Sequence, residues 1–516
     1  MPPKIYKALL LAVMVACLTG ASLVQRSLVA RRDDLGLTRF TELKGAPPLL
    51  TMTTVALGGF RGLISNILWI RANDLQQDDK YFEMVQLADW ITKLEPHFTQ
   101  VWLVQAWNMA YNISVKFKDQ DDRWRWVQRG IELLRDQGLK YNPNDVLMHR
   151  ELAWFFQHKM GANMDDAHMY YKQQWANEMA TVFGKSTAQP DLDELIHPAN
   201  ADQEARARIL RDTFKMDPVF MKKVDDLYGP LEWRLPEAHA IYWAAQGLEA
   251  ARRNPAFVET NDYITLERVI YQSMQLSFQR GRLVSNKAAK RFEFAPNLAI
   301  IPKVSAAYEE AMGKDPKMLD NIRTAHRNFL RDAVYFLYTY NKQADAIKWF
   351  KYLVKEYPDK ALIEGRPDSM PGTVSLDEFA FGRLQAEVSD MGSDKAKMIV
   401  EGLEAQAFES IIMDEDDHYV GLDHLAQQAY ISFQSKMATT EASMGRVGLP
   451  PFVDLRADVL VGLLNGDLPA EAAAILRTKL HLSPDDYKLQ NPEDSTPAGV
   501  TGQTNTVPDK PQAQPK

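Results

Sequence analysis

The sequence predicts an all-α protein: helical hairpins stacked as a solenoid behind one N-terminal transmembrane or signal-anchor helix. Three observations carry this. From residue 70 onward, apolar residues recur at 3–4 spacing and alternating strand patterns are scarce. Segments rich in helix formers, such as Ala346–Lys355 and Ala470–Leu480, are separated by short proline-bearing joints. Behind Lys4 and Lys7 runs an uncharged, mostly apolar stretch, Ala8 to Val24.

Composition bounds the rest. A chain of 516 residues, 46% hydrophobic and 25% charged, can bury a large core, so wholesale disorder is excluded. The length suits several domains or one repeat array. A single cysteine excludes a disulfide scaffold and a thiolate metal cluster. All five charges in residues 1–32 are basic, so a chain of net charge −8 carries −13 on its remainder. An acidic body argues against nucleic acid as a partner.

Residues 1–32 form the anchor segment. Ala8–Val24 is near the lower length limit for a spanning helix, about 17 residues, so it reads as a short retained anchor. Thr19-Gly20-Ala21 would also serve as a signal-peptide cleavage site. Met14-Val15-Ala16-Cys17 gives a lipoprotein reading, although apolar residues continue past Cys17 where a lipidated mature start would turn polar. Basic residues flank the stretch almost evenly, and its place at the extreme N-terminus favours a body on the exported, periplasmic side.

Residues 33–76 form a lead-in with a second apolar run, Leu49–Ile70. Arg61 near its middle would cost roughly 2.5–3.5 kcal/mol in a bilayer. The set Phe60, Leu63, Ile64, Ile67, Leu68 follows helical spacing, so this run is expected as a buried helix rather than an interfacial helix or second span.

The body follows as hairpins over 77–180, an irregular helical region over 181–325, and further hairpins over 326–487. Its joints are Glu95-Pro96, Asn142-Pro143-Asn144, Tyr357-Pro358-Asp359 and Ser483-Pro484-Asp485; proline lacks an amide donor and restricts the residue before it, so helices stop there. Around the joints a pattern repeats. Ala346 and Phe350 precede Pro358 at the same spacings as Ala472 and Leu476 precede Pro484. Leu152-Ala153 and Phe156 follow Pro143, and Trp102 and Ala106 follow Pro96. Small alanines let helices approach and the aromatic fills the crossing. This pattern resembles the tetratricopeptide repeat, a helix–turn–helix unit of about 34 residues, and the segment Ala56–Leu75 is similar to the lead-in of bacterial membrane-anchored repeat proteins. The repeat likeness is local to 85–160, 327–360 and 455–487. Residues 183–203 and 358–376 read as surface loops. The last segment, 488–516, has five prolines and no aromatic residue and is expected to be disordered.

Catalytic motifs are missing: no phosphate-cradling glycine loop, no Gly-x-Ser-x-Gly elbow, no His-Glu-x-x-His pair, no EF-hand loop. Three clusters carry side chains capable of chemistry. Asp165, Asp166 and His168 open a helix, where carboxylates cap free amides. Asp414–His418 with Asp423-His424 reads as a solvated loop or helix start. Pro236-Glu237 starts a helix whose His239, four residues before Trp243, reads as a packed, hydrogen-bonded histidine. No metal or cofactor is expected.

The aromatic residues give the functional hint. All eleven tryptophans lie between Trp69 and Trp349, eight of them before residue 176. The tetratricopeptide resemblance implies a concave groove lined by the first helix of each hairpin. Register from the prolines then places Trp107, Trp154 and Tyr335 at equivalent groove positions, with Tyr111 and His158 on the same stripe and Arg150 and Arg331 as another equivalent pair. Aromatic anchors beside arginine suit a protein or peptide partner. The expectation is a non-enzymatic, membrane-tethered scaffold held through residues 8–24; the alternative is an exported, nutrient-capture-like helical lipoprotein.

Overall fold

The computed structural model describes residues 3–34, 60–78, 80–186, 188–253, 255, 258–286, 291–385, 393–439, 449–484 and 486–487. The chain divides into two compact units, one of residues 1–285, 291–337 and 344–358, the other of 286–290, 338–343 and 359–516.

In the first unit, α1 (Pro3–Asp34) runs unbroken through the predicted anchor, and its described side chains from Val13 to Leu28 are exposed. The side chains of residues 8–12 and of Leu18 lie outside the described residues. Among the described residues no helix is long and apolar enough to cross a membrane.

The lead-in helix α2 (Phe60–Gln77) differs from its sequence reading. Ile64 and Leu68 are half-buried, but Ile67 is 58% exposed, and the buried positions are Ser65, Ala72 and Leu75. Phe60 and Leu63, like the start of the apolar run at 49–59, lie outside the described side chains. The face is set by α3 (Tyr81–Leu94). Ala72 and Leu75 meet Met84, while Leu68 and Trp69 meet Ala88 and Ile91, so the two helices run antiparallel. That packing uses the C-terminal part of α2 and leaves Ile67 and Ile70 facing out.

Two hairpins' worth of helix follow. The helix α4 (Thr99–Trp107) continues as a π-helical turn over Asn108–Ile113. Next, α5 (Gln120–Glu132) continues likewise over Leu133–Gly138, and α6 (Val146–Trp154) over Phe155–Gly161. Asp119 caps α5 and Asp145 caps α6, each through its carboxylate on free backbone amides. Two proline joints are tied together: the Pro96 carbonyl accepts from Trp102 Nε1 and from Asn142 Nδ2, both at 2.9 Å. The predicted approach residues Ala106 and Ala153 are fully buried, as are Trp102 and Phe156. At Gly130 a Cβ would stand 2.9 Å from the Ala106 carbonyl oxygen, so α4 and α5 touch backbone to backbone there.

After α7 (His168–Phe183), the predicted surface loop at 183–203 contains a short helix, α8 (Asp193–Ile196), with Leu192 and Leu195 buried. It is held from inside by Arg234, which has no exposed surface, pairs with Glu232 and donates to the carbonyls of Gly184, Ser186 and Ala188. The irregular region then resolves into α9 (Ala201–Asp212), α10 (Pro218–Tyr228), α11 (Pro236–Arg253) and α12 (Thr260–Arg280). At Gly247 a Cβ would come within 3.1 Å of both Leu266 and His149 side-chain atoms, which fixes α6, α11 and α12 as a close triple contact.

A two-stranded hairpin, β1 (Arg282–Asn286) and β2 (Arg291–Ala295), departs from the all-α expectation. Each strand is five residues long, too short for its alternation to stand out in the sequence. The unit closes with α13 (Ile301–Lys314), α14 (Leu319–Thr339) and α15 (Gln343–Glu356); residues 338–343 cluster with the second unit.

The second unit holds α16 (Leu376–Gln385), α17 (Ser393–Ile412), α18 (Asp416–Thr439), α19 (Phe452–Gly462) and α20 (Ala470–Lys479). Ala472 and Leu476, singled out by the repeat pattern, pack on Phe408, Ile411 and Leu460. The acidic stretch opens α18 at Asp416; its exposed Asp414 and Asp416 pair with Lys479 and Asp417 pairs with Lys342, while Asp423 pairs with Arg456. The predicted loop at 358–376 lacks regular structure, though Leu362 and Ile363 are buried. The tail from residue 488 lies outside the described residues.

Candidate partner-binding site

Trp107 ends α4, and the π-helical turn that follows carries Tyr111. A later such turn, after α6, carries His158 four residues beyond Trp154. These four rings form one continuous row. Trp107 stacks on Tyr111 with centroids 4.1 Å apart, and Trp154 stacks on His158 at 4.6 Å. Tyr111 Oη and His158 Nδ1, 3.2 Å apart, join the two pairs. Trp107 is 39% exposed, and Tyr111, Trp154 and His158 are half-buried, so the row has a solvent-facing edge.

Its underside is polar. Phe155 meets the Tyr111 ring edge-on, and Lys159 Nζ lies 5.0 Å from the same ring. Buried Lys159 pairs with Asp165 at 2.5 Å, and Asp165 also accepts from Arg123 at 2.7 Å. Asp165 is thus more than the helix-start residue of the sequence reading: it takes the Ala167 amide and two buried cations together. Burial, and next the Glu151 carboxylate, push the Tyr111 phenol well above its ordinary range, so it stays a donor. Burial and the neighbouring Lys159 lower His158, so its ring is neutral at pH 7 and Nδ1 can accept. Burial also raises the Glu151 carboxyl, against the pull of Arg150.

The remaining sequence-predicted residues stand apart. Arg150 is half-buried on α6 beside Glu151. Arg331, on α14, is only 7% exposed, which removes it from a groove surface. Tyr335 is half-buried with its ring 6.1 Å from Phe336, and the Phe336 ring meets Phe278 of α12. Trp107 and Trp154 each stack on the ring four residues further on, while α14 lies in another packing environment. Lys159 and Phe155 lie off the aromatic stripe predicted from sequence, where Asp165 figures only as a helix-start carboxylate. A lysine in the run Phe155-Phe156-Gln157-His158-Lys159-Met160 was the available signal, since a cation amid buried positions needs a partner.

His239 is fully buried, donates through Nε2 to the Trp233 carbonyl at 2.9 Å, and stacks on Phe156. That is the packed histidine the sequence suggested, but its neighbours are Phe156, Trp175 and Trp233, while Trp243 meets His149. Glu237 pairs with Arg280 at 3.0 Å. Among the described residues, no group of three or more His, Cys, Asp or Glu side chains could hold a metal ion. No protein-family model matches the chain, and comparison with curated proteins and with solved structures gives no significant match.

Proposed function

We propose that this protein is a membrane-tethered, tetratricopeptide-like helical scaffold that holds a segment of a protein partner and performs no catalysis of its own. The observation that supports the reading is the row Trp107–Tyr111–His158–Trp154, drawn from two helices and stacked into one rigid, partly exposed edge. Stacked, hydrogen-bonded rings lose little further entropy when a partner covers them, and tryptophan and tyrosine are the commonest interface anchors. Arg150 and the solvent-facing edge of Trp107 supply the rim. Tethering rests on Ala8–Val24, uncharged and continuous within α1, with the body on the exported side.

The test is crosslinking of the full-length, membrane-extracted protein in its host, with Trp107→Ala and Trp154→Ala combined. A stoichiometric protein partner lost by the double variant, with helicity unchanged, is the expected result. A partner retained by that variant, or none at all, refutes the site.

A second reading, small-ligand capture by an exported lipoprotein, is favoured by a cleft of about 810 Å³ lined by Arg135, Lys140, His149, Asp212 and Trp243. It requires lipid on Cys17, whose side chain is exposed on α1. The intact mass of the mature chain decides it.

A further inference from the structure

Gln105 and Met109 lie two residues either side of Trp107, so they point to the opposite side of the helix from the aromatic row. There a cleft of about 430 Å³ opens between α3 and α5, with Asp89, Trp90, Gln105, Met109, Arg129 and Glu132 in its lining. Three features of that lining ask for the same ligand.

First, Gln105 is 2% exposed; its Nε2 donates to the Val85 carbonyl at 3.3 Å, which fixes the amide's orientation and leaves Oε1 buried with no hydrogen-bond partner. A buried acceptor left unmade is costly, so a donor that meets Oε1 when the Gln105 side chain shifts into the cleft gains more than it would on an open surface. Second, no described side chain forms an ion pair with the Glu132 carboxylate, which burial makes harder to ionise even with the charges of Arg135 and Arg129 nearby. A cation delivered to it would relieve that penalty. Third, Trp90 is 61% exposed, an indole face free to stack. The second carboxylate, Asp89, is held by Lys93 at 2.6 Å on the rim, and Arg129 is drawn aside over the Trp126 ring, 5.0 Å from its centroid.

We propose that this cleft binds a guanidinium group, carried either by a free arginine-type amine or by an arginine side chain on a peptide. A guanidinium is planar and presents five donors in fixed directions, so it can serve Gln105 Oε1 and the Glu132 carboxylate together while its face lies on Trp90. An ammonium is a point charge: it meets the carboxylate but offers no plane to the indole. The site is separate from the aromatic row and stands or falls independently of the scaffold reading.

The test is calorimetric titration of the full-length, detergent-solubilised protein with agmatine, with Gly-Arg-Gly and with N-acetyl-lysine amide. Saturable 1:1 binding of a guanidinium probe is expected, weakened about tenfold or more in Glu132→Gln and in Trp90→Ala, which sit at exposed or half-buried positions and should keep the wild-type circular dichroism. Comparable affinity for agmatine and tripeptide assigns a free amine; a tripeptide bound about tenfold tighter assigns a peptide. No saturable heat with either guanidinium probe, equal binding of the lysine probe, or unchanged affinity in both variants overturns the proposal.

Discussion

Tyr111 and His158 are 47 positions apart in sequence, yet the phenolic oxygen and imidazole Nδ1 meet at 3.2 Å and join two stacked aromatic pairs. The phenol is held protonated and the imidazole neutral, so the Tyr111 hydroxyl donates and His158 Nδ1 accepts. Both residues sit in π-helical turns, where the i→i+5 bond takes an extra residue into the turn and side chains are re-aimed relative to a regular helix.

This bond makes the row sensitive to acid. His158 has a lowered affinity for protons in the folded state, so the unfolded chain binds more protons just below the ordinary histidine range, and the contribution of this site to stability falls as pH drops there. Protonation turns Nδ1 into a donor, so the phenol must turn its hydrogen away and accept instead. A proton-detected titration of His158 should give a midpoint below about 6.5, and Tyr111→Phe should cost about 1 kcal/mol at pH 7. An ordinary midpoint would contradict the assigned donor and acceptor.

Lys172 is 1% exposed, with Nζ 2.8 Å from His168 Nδ1. Burial, and next Arg280, lower its pKa to about 7, against the pull of Glu237. The unfolded lysine holds its proton up to about pH 10.4, so the folded state gains stability as pH rises from 7 towards 10. Replacing it with a methionine removes the buried charge. Lys172→Met should raise stability at pH 7 by about 1–3 kcal/mol and flatten the alkaline rise, measured by urea unfolding at both pH values. A destabilised variant would mean that the lysine's polar contacts outweigh its desolvation.

Three buried histidines set the acid limit. Burial lowers His239 to about 3 and His326 to about 4, and lowers His149 as well. Each is neutral when folded and takes a proton when unfolded below about pH 6.5, so stability should fall steadily from pH 6.5 to 4. In thermal melts across that window, His239→Gln should show a shallower loss than the wild type. An identical slope would exclude His239 as a contributor.

Arg234 is the largest consequence of a single side chain. It satisfies Glu232, itself 6% exposed, and three carbonyls of the 184–188 segment. Arg234→Met strands the Glu232 carboxylate in the core and frees the loop, so a loss of about 3–5 kcal/mol is expected. Limited proteolysis should then cut first near Lys185. Wild-type resistance there would show that the loop is held by Leu192 and Leu195 alone.

What the sequence determined by itself is local. Helical spacing gave the helices, proline gave their ends at Pro96 and Pro143, and alanine placed the close approaches at Ala106 and Ala153, because amide loss and side-chain volume act within a few residues. Trp107, Tyr111, Trp154 and His158 were legible as a stripe for the same reason. Only the tertiary structure decided which stripes meet. It buried Arg331, turned Ile67 outward, folded the 183–203 loop around Arg234, and put Lys159 and Asp165 beneath the aromatic row. Those outcomes depend on Asp165 finding Arg123 and Arg234 finding the 184–188 carbonyls, more than 40 residues away in each case, and on which face a neighbouring helix covers. Neither is encoded in the spacing of any one segment.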